Sequence, residues 1–345
     1  MTRYSIFLGF LLLMQGTSLR AGEISVEEIV RNSYFQPAVN YEGSKTVVSM
    51  SGSGLHAVEM DIIHAGNGKC RYIFNAPAGM LGCVIVDDGD SEWQYDSLEN
   101  TAVRRKSALR SENRNKVIFE TLENNYRFEY KGGADVCGRR CDIVDVVSKT
   151  DDGNYRRMWV DNKNGLILKN KYYTGGLLVM YSHFNEIEYP GKLDDGNFMP
   201  PGNETTTIVE RPAEEYYDMG ELCSKLKTRV YLPAEVSGGY VFESGSRLHD
   251  KNGGVVHIKY TDGMNVISLF ESGRKHGMNS LGRRRLRDDG EDNLYKADVF
   301  NVIIGGKKLL HSRTGKFSYL IIGSDEKAMK SMAENLEDGS NRVYW

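Results

Sequence analysis

The segment YRRMWVDNKNGLILKNKYYTGGLLVMYSHFNEIEY, residues 155–189, decides the fold of this chain. Its runs rich in Tyr, Val, Ile, Leu and Trp are interrupted by Asn162-Lys163-Asn164-Gly165 and by Thr174-Gly175-Gly176. Short glycine-containing interruptions of this kind predict hairpin turns between antiparallel strands. The segment is therefore predicted to form a three-stranded meander. Alternation along its last strand predicts that Val179 and Tyr181 lie together on an apolar face.

This meander and its surroundings resemble a known family. The order is Cys137-Gly138-Arg139-Arg140-Cys141, Trp159-Val160-Asp161, Gly165-Leu166-Ile167-Leu168-Lys169 and then a Tyr-x-x-Gly-Gly turn. It resembles the LolA/LolB-like superfamily and, within it, the MucB/RseB family of periplasmic sigma-E regulatory proteins. Leu232-Pro233 and the strand Tyr319 to Gly323 with its following helix are similar to the C-terminal domain of that family. The resemblance covers residues 24 to 337.

The resemblance implies an α+β fold in two domains. Residues 24–190 are expected to form a LolA-like curved antiparallel half-barrel closed by helices, which binds a lipid or another ligand. A turn-rich linker at 191–212 leads to a smaller C-terminal α/β sandwich-like domain at 213–345. Composition agrees, because 37 glycines and 20 tyrosines against 7 prolines favour turn-rich sheet over a helix bundle.

Local patterns predict the remaining elements. Ser25 is predicted to cap a first helix, with Glu27 and Glu28 in its first turn. A second helix is predicted around Lys116 to Leu122, and a last one from Ser324 to Leu336 with Ser324 as its cap. Strands are predicted at Lys45 to Met50, Leu55 to His64, Cys70 to Phe74, Cys83 to Val86, Glu92 to Tyr95 and Tyr126 to Tyr130. In the second domain they are predicted at Tyr240 to Glu243, Gly254 to Tyr260, Val266 to Glu271, Ala297 to Ile304, Lys307 to Ser312 and Phe317 to Gly323.

The first 21 residues have the pattern of a cleaved signal peptide. Arg3 supplies a positive charge, Ile6 to Met14 form an apolar core, and Ala21 is the best cleavage position. The alternative is an uncleaved membrane anchor, but this core is far shorter than the roughly 18 residues that a spanning helix needs. The mature protein is therefore predicted to be periplasmic. A net charge of −3 gives no electrostatic reason to expect nucleic acid as a partner.

Five cysteines in an exported chain predict disulfide bonds. Cys70 and Cys83 flank a candidate hairpin at nearly equal distances from its tip, so they are predicted to pair. Cys137 and Cys141 bracket a tight turn that a second bridge could close. Neither pair has the spacing of a zinc site, and no metal is expected.

Six side chains are predicted to line a ligand cavity in the half-barrel. Strand parity places Tyr72 with Phe74, Trp93 with Tyr95, and Val179 with Tyr181. The alternative is that these residues only fill a dry core. As a set they exceed what a small core needs, so an apolar ligand such as an acyl chain or a peptide is predicted.

A charged run in the second domain is the candidate partner-docking surface. Arg283, Arg284, Arg285 and Arg287 stand before an acidic group, Asp288, Asp289, Glu291 and Asp292. The alternative is an ordinary solvated loop. As a docking surface, the arginines would steer an acidic segment of a partner.

The sequence contains no catalytic or cofactor motif. A His-Glu-x-x-His helix, a Gly-x-Ser-x-Gly elbow, a P-loop and a dinucleotide turn are all missing, so neither an enzyme nor a cofactor is expected. The resemblance instead implies an exported negative regulator that binds the periplasmic domain of a membrane-spanning anti-sigma factor and senses envelope stress through an apolar ligand. The alternative is a periplasmic lipid or lipoprotein carrier resembling LolA, but simple carriers of that type consist of the barrel alone.

Overall fold

A computed structural model describes residues 24–35, 38–51, 54–107, 112–150, 153–210, 215–226, 230–233, 235–248, 255–273, 308–314, 317–337 and 342–344. The predicted signal peptide, the predicted strand Ala297 to Ile304 and the cluster Arg283, Arg284, Arg285 and Arg287 lie outside these residues. Among the helices that are described, none is both long enough and apolar enough to cross a membrane.

The first sheet is large, open and curved, and it contains twelve strands. They are β1 Tyr41–Ser51, β2 Gly54–His64, β3 Cys70–Ala76, β4 Val84–Asp87, β5 Ser91–Asp96, β6 Thr101–Lys106, β7 Tyr126–Val136, β8 Arg139–Ser148, β9 Tyr155–Asp161, β10 Ile167–Thr174, β11 Leu177–Glu188 and β12 Thr207–Glu210. Their order across the sheet is β12-β6-β5-β4-β3-β2-β1-β11-β10-β9-β8-β7. All neighbours are antiparallel except β12, which is parallel to β6.

Two helices accompany this sheet, α1 Val26–Tyr34 and α2 Glu112–Asn125. Ser25 caps α1 as predicted, since its side chain accepts a hydrogen bond from the Glu28 amide at 3.1 Å. Both helices pack on one face of β7–β9, which we call the inner face. The core there contains Val30, Phe119, Leu122, Tyr126, Val144, Val146, Met158 and Val160.

The second sheet contains six strands in the order β13-β15-β16-β17-β19-β18. The remaining elements are β13 Glu215–Tyr216, α3 Met219–Leu226, β14 Tyr231–Pro233, β15 Val241–Leu248, β16 Val255–Thr261, β17 Val266–Gly273, β18 Lys308–Thr314, β19 Phe317–Gly323, α4 Glu326–Glu337 and β20 Arg342–Tyr344. β14 pairs with β20. The prediction that Ser324 caps the last helix is wrong, because Asp325 accepts the hydrogen bond from the Ala328 amide, at 3.0 Å.

The predicted meander is present as β9, β10 and β11, but its predicted apolar face is wrong. Register shifts opposite Tyr172/Tyr173 of β10 and opposite Ser44/Lys45 of β1 leave Val179 and Asn185 of β11 as extra residues. They break simple alternation along β11, because each bulge inserts one residue. Ser182 and Phe184 are the buried residues of this strand, and Tyr181 lies half-buried on the opposite, outer face.

The segment predicted as a linker carries structure that belongs with the first sheet. A short 3₁₀ helix at Asp195–Phe198 places Phe198 against Val86 and Trp93 on the outer face. Farther along, β12 adds to the sheet beside β6. The division into two domains remains a prediction, but much of 191–212 packs on or extends the first sheet.

Candidate ligand-binding site

The six predicted cavity residues do not meet at one place. Tyr72 and Phe74 of β3 lie on the inner face. This follows from the strand pairing, which runs from β9 through β10, β11, β1 and β2 to β3. Trp93 and Tyr95 lie on the outer face, in the cluster closed by Phe198. Tyr181 is also on the outer face but five strand positions away from β5, and Val179 adjoins the register shift of β11. Their predicted role in binding remains a prediction.

The inner face has a half-covered apolar part. Helices α1 and α2 cover β7–β9, whereas six apolar side chains on β1–β3 and β11 are only half-buried: Val47, Val58, Met60, Tyr72, Phe74 and Met180. Phe35, at the end of α1, is 38% exposed beside Phe119, with 5.7 Å between the ring centroids. Continuous apolar surface that is neither exposed nor fully packed is typical of a ligand-binding face.

Arg156 lies on this inner face among aromatic rings. Its Nε donates to Asn170 Oδ1 at 2.8 Å, and one terminal nitrogen donates to the Tyr34 hydroxyl at 3.0 Å. Its guanidinium carbon is 4.8 Å from the centre of the Tyr172 ring. Burial raises the pKa of Tyr34, and Arg156 opposes that shift. The guanidinium is thus oriented by neutral groups.

Lys45 is a second cation on the same face. Its Nζ lies 5.1 Å from the centre of the Phe184 ring. Burial, together with repulsion from Arg156, lowers the pKa of Lys45 to about 8. Within the described part of the chain, no carboxylate forms an ion pair with Lys45 or Arg156.

Two half-buried cations without a counter-charge carry a desolvation cost, so the arrangement suits an anionic group beside an apolar chain. Sequence reasoning did not identify either residue. Lys45 shares its strand parity with Val47, and Arg156 shares its parity with Met158. Only the pairing of the strands from β1 to β9, three strand positions apart in the sheet, places the two cations on one face.

Helix α2 joins the inner face to the second sheet. Arg114 Nε donates to Glu243 Oε1 at 2.8 Å, and the Glu243 side chain is 1% exposed. At the other end of α2, the Asn125 amide donates to the carbonyl of Asp262 at 3.0 Å, and the Tyr126 hydroxyl donates to the Asp262 carboxylate at 2.7 Å. The turn around Asp262 therefore packs directly against the helix that covers the ligand face.

The predicted Cys70–Cys83 disulfide is wrong in this structure. All five cysteines are unbonded. Cys70 pairs with Asp87, whereas the carbonyl of Cys83 accepts from the Phe74 amide at 2.9 Å. Four residues of strand therefore separate the two cysteines, about 13 Å at 3.3 Å per residue, and a bridge needs Cα atoms within about 7 Å. Burial raises the pKa of Cys70 to about 11, which favours the protonated thiol.

The predicted Cys137–Cys141 bridge is also not formed. The Cys137 thiol lies at the tip of the β7–β8 hairpin and donates to the Phe184 carbonyl at 3.1 Å. Cys141 is fully buried, opposite Ala134, and its thiol donates to the Arg139 carbonyl at 3.6 Å. The two thiols thus engage different carbonyls. No group of three His, Cys, Asp or Glu side chains arranged as metal ligands occurs in the described residues.

Comparison with known proteins agrees with this architecture. The model of the MucB/RseB N-terminal domain matches residues 93–201. The complex of MucA and MucB from Pseudomonas aeruginosa matches with a TM-score of 0.59 at 14% identity, over 89% of this chain and 96% of the other. A crystal structure of MucB in complex with MucA(peri) matches with a TM-score of 0.58 at 14% identity, over 90% and 97%. No curated protein sequence matches.

A LolA superfamily protein from Nitrosomonas europaea matches more weakly, with a TM-score of 0.27 at 12% identity, over 51% of this chain and 98% of the other. The MucB structures share the fold of nearly the whole chain, and the family model matches the meander and its neighbours. The resemblance to the MucB/RseB family that the sequence indicated is therefore confirmed, with a MucB/RseB N-terminal domain at residues 93–201 and the MucB fold over about nine-tenths of the chain.

Proposed function

We propose that this protein is an exported regulator that binds the periplasmic part of a membrane anti-sigma factor and releases it when an amphiphilic molecule occupies the inner face. The observation that carries this proposal is the match to MucB over both sheets, because the solved relatives include MucB bound to the periplasmic part of MucA. The second sheet favours a regulator over a carrier, since a simple carrier would need only the first.

The ligand we propose has an apolar chain and an acidic head. The half-buried side chains on β1–β3 would contact the chain. Lys45 and Arg156 would contact the head, because a carboxylate or phosphate would supply their missing counter-charge. This refines the apolar ligand that the sequence predicted.

Helix α2 is the element that would link ligand and partner. It packs on the inner face through Phe119 and Leu122 and bonds to the second sheet through Arg114 and Asn125. A ligand that binds more tightly to one of two positions of α2 would change the free energy of partner binding. The change equals the difference in ligand binding between the two positions, typically about 1 to 3 kcal/mol. The predicted docking role of Arg283, Arg284, Arg285 and Arg287 remains a separate prediction.

The test uses the mature protein and the periplasmic segment of the single-span anti-sigma factor encoded in the same genome. Binding is measured by biolayer interferometry under three conditions: without amphiphile, with dodecyl phosphate, and with neutral dodecyl maltoside. Each amphiphile is kept below its micelle concentration. We expect capture of the segment and a drop of about 5-fold or more in affinity with dodecyl phosphate only.

Lys45→Met with Arg156→Met should retain capture and lose the response to dodecyl phosphate. Lys192→Met is the matched control, since Lys192 is exposed and should change neither property. Failure of the wild-type protein to bind the segment would refute the regulatory role. Capture without any response to either amphiphile would refute the ligand mechanism alone.

A further inference from the structure

A pocket of about 440 Å³ lies on the outer face of the first sheet, opposite the face that α1 and α2 cover. It opens between the tip of the β7–β8 hairpin and strands β10 and β11. Its lining is Asp135, Val136, Cys137, Lys169, Tyr181, His183, Phe184 and Asn185. The volume is in the range of small-molecule sites, but most of the lining is polar. An acyl chain is therefore a poor occupant.

Two lysines of β10 lie between aromatic rings beside this pocket. Lys169 Nζ is 4.7 Å from the centre of the Trp159 ring and 5.7 Å from that of Tyr181. Lys171 Nζ is 5.9 Å and 5.8 Å from the same two rings. Tyr181 in turn stacks on His183, with 4.9 Å between the ring centroids. The result is a compact array of cations and aromatic rings on one face.

The acidic groups nearby are already engaged. Both carboxylate oxygens of Asp145 accept from Arg157 at 2.7 Å, and Asp161 pairs with Arg139. Asp135, the carboxylate in the lining itself, lies 3.6 Å from Arg140 and is largely exposed. Across the ranges that the structure describes, neither lysine of β10 has a carboxylate within ion-pair distance. The array therefore carries two uncompensated positive charges, one on each lysine. His183 does not add another, because burial and Lys169 lower its pKa and favour the neutral imidazole.

The position of the pocket also restricts its partner. β10 is paired on both sides, with β9 and β11, so no free strand edge is available for a peptide to extend the sheet. Val136 is the one aliphatic side chain of the lining, and the Phe184 ring lies on the inner face beside Lys45, so an amphipathic helix would find no apolar groove. A compact, polar, anionic molecule fits these constraints better than a polypeptide.

We propose that this outer pocket binds a saccharide that carries a phosphate or carboxylate group. The acidic group would contact Lys169, with Lys171 adding to the local field. The apolar face of the sugar ring would lie against the Tyr181–His183 stack, and its hydroxyl groups would meet Asp135 and Asn185. This site is on the face opposite to the proposed amphiphile site and does not depend on the proposed function.

The test is isothermal titration of the mature protein at low salt with glucose 6-phosphate, glucuronate, glucose and inorganic phosphate. We expect one or both acidic sugars to bind, and at least about tenfold tighter than glucose or phosphate, since charge and ring contacts are both needed. The difference between the two acidic sugars identifies the anion. Lys169→Gln should reduce their affinity by about tenfold or more, whereas Lys163→Gln in the β9–β10 turn should leave it unchanged.

A thermal melt checks that Lys169→Gln is folded, and Tyr181→Leu provides a second variant that keeps both lysines. This variant should weaken the acidic sugars and leave any residual phosphate binding unchanged. Equal binding of glucose and the acidic sugars, or no binding of any of them, would overturn the proposal. Binding of tetraglutamate that depends on Lys169, without binding of either acidic sugar, would identify an acidic peptide site instead.

Discussion

Replacement of Lys45 by Met tests whether the inner face holds a cation without a counter-charge. The lysine has a pKa of about 8 in the folded protein, against 10.5 for an unperturbed lysine, with burial as the main cause. Met fills a similar volume beside Phe184 and carries no charge. We therefore expect Lys45→Met to stabilise the protein at pH 7, although it removes a contact with an aromatic ring.

The magnitude follows from the pKa difference. A shift from 10.5 to about 8 makes the charged form cost about 3 kcal/mol in the folded state, at 1.36 kcal/mol per pKa unit. Loss of the contact with Phe184 offsets about 0.5 to 1 kcal/mol. The expected net gain at pH 7 is about 2 kcal/mol, which agrees with the gains seen when buried charges are replaced by apolar residues.

The sign of the pH dependence provides a second observable. Below pH 8 both states are protonated, and the folded state bears the full cost of the charge. Between pH 8 and 10.5 the unfolded chain holds more protons than the folded protein, so the stability of the wild-type protein rises relative to that of the variant. The advantage of Lys45→Met should therefore shrink across this interval.

Urea denaturation at pH 7, 8, 9 and 10 measures both quantities, with Lys192→Met as the exposed control. The difference between wild type and each variant cancels the other groups that titrate in this range. A variant that is less stable than wild type at pH 7, with an unchanged pH slope, would show that the Lys45 ammonium is solvated. The inner face would then lack the proposed anion site.

Three further predictions concern the cysteines and the contacts between α2 and the second sheet. Arg114→Ala should lower the free energy of unfolding, measured by urea denaturation, by about 3 to 5 kcal/mol, because it leaves the buried Glu243 carboxylate unpaired. The double variant Arg114→Leu with Glu243→Leu should recover much of that loss. Gly263→Ala should lower the free energy of unfolding of the protein by more than about 1 kcal/mol, since Gly263 has φ of +97° and an added Cβ would lie 2.4 Å from the Leu122 amide nitrogen. A melting temperature equal to that of wild type would contradict this contact. Non-reducing peptide mapping of the exported protein should find five free thiols, and a bridged peptide would restore the disulfide prediction.

The sequence by itself determined the features that depend on neighbouring residues. The Ser25 cap, the turns that end at Gly165 and Gly176, and the three strands between them arise from interactions within a few residues. The family resemblance belongs to the same level, because it rests on the order of these turns and strands. The general architecture was predictable for that reason.

Tertiary structure decided what depends on pairing between distant segments. Pairing of β11 with β10 placed Tyr181 on the outer face between two bulges of β11, and register separated Cys70 from Cys83 by four residues. Single-strand alternation cannot reveal such shifts, because a bulge is fixed by the partner strand and by packing. For the same reason, only the folded sheet brings Lys45 and Arg156 to one face, although they are 111 positions apart in the chain.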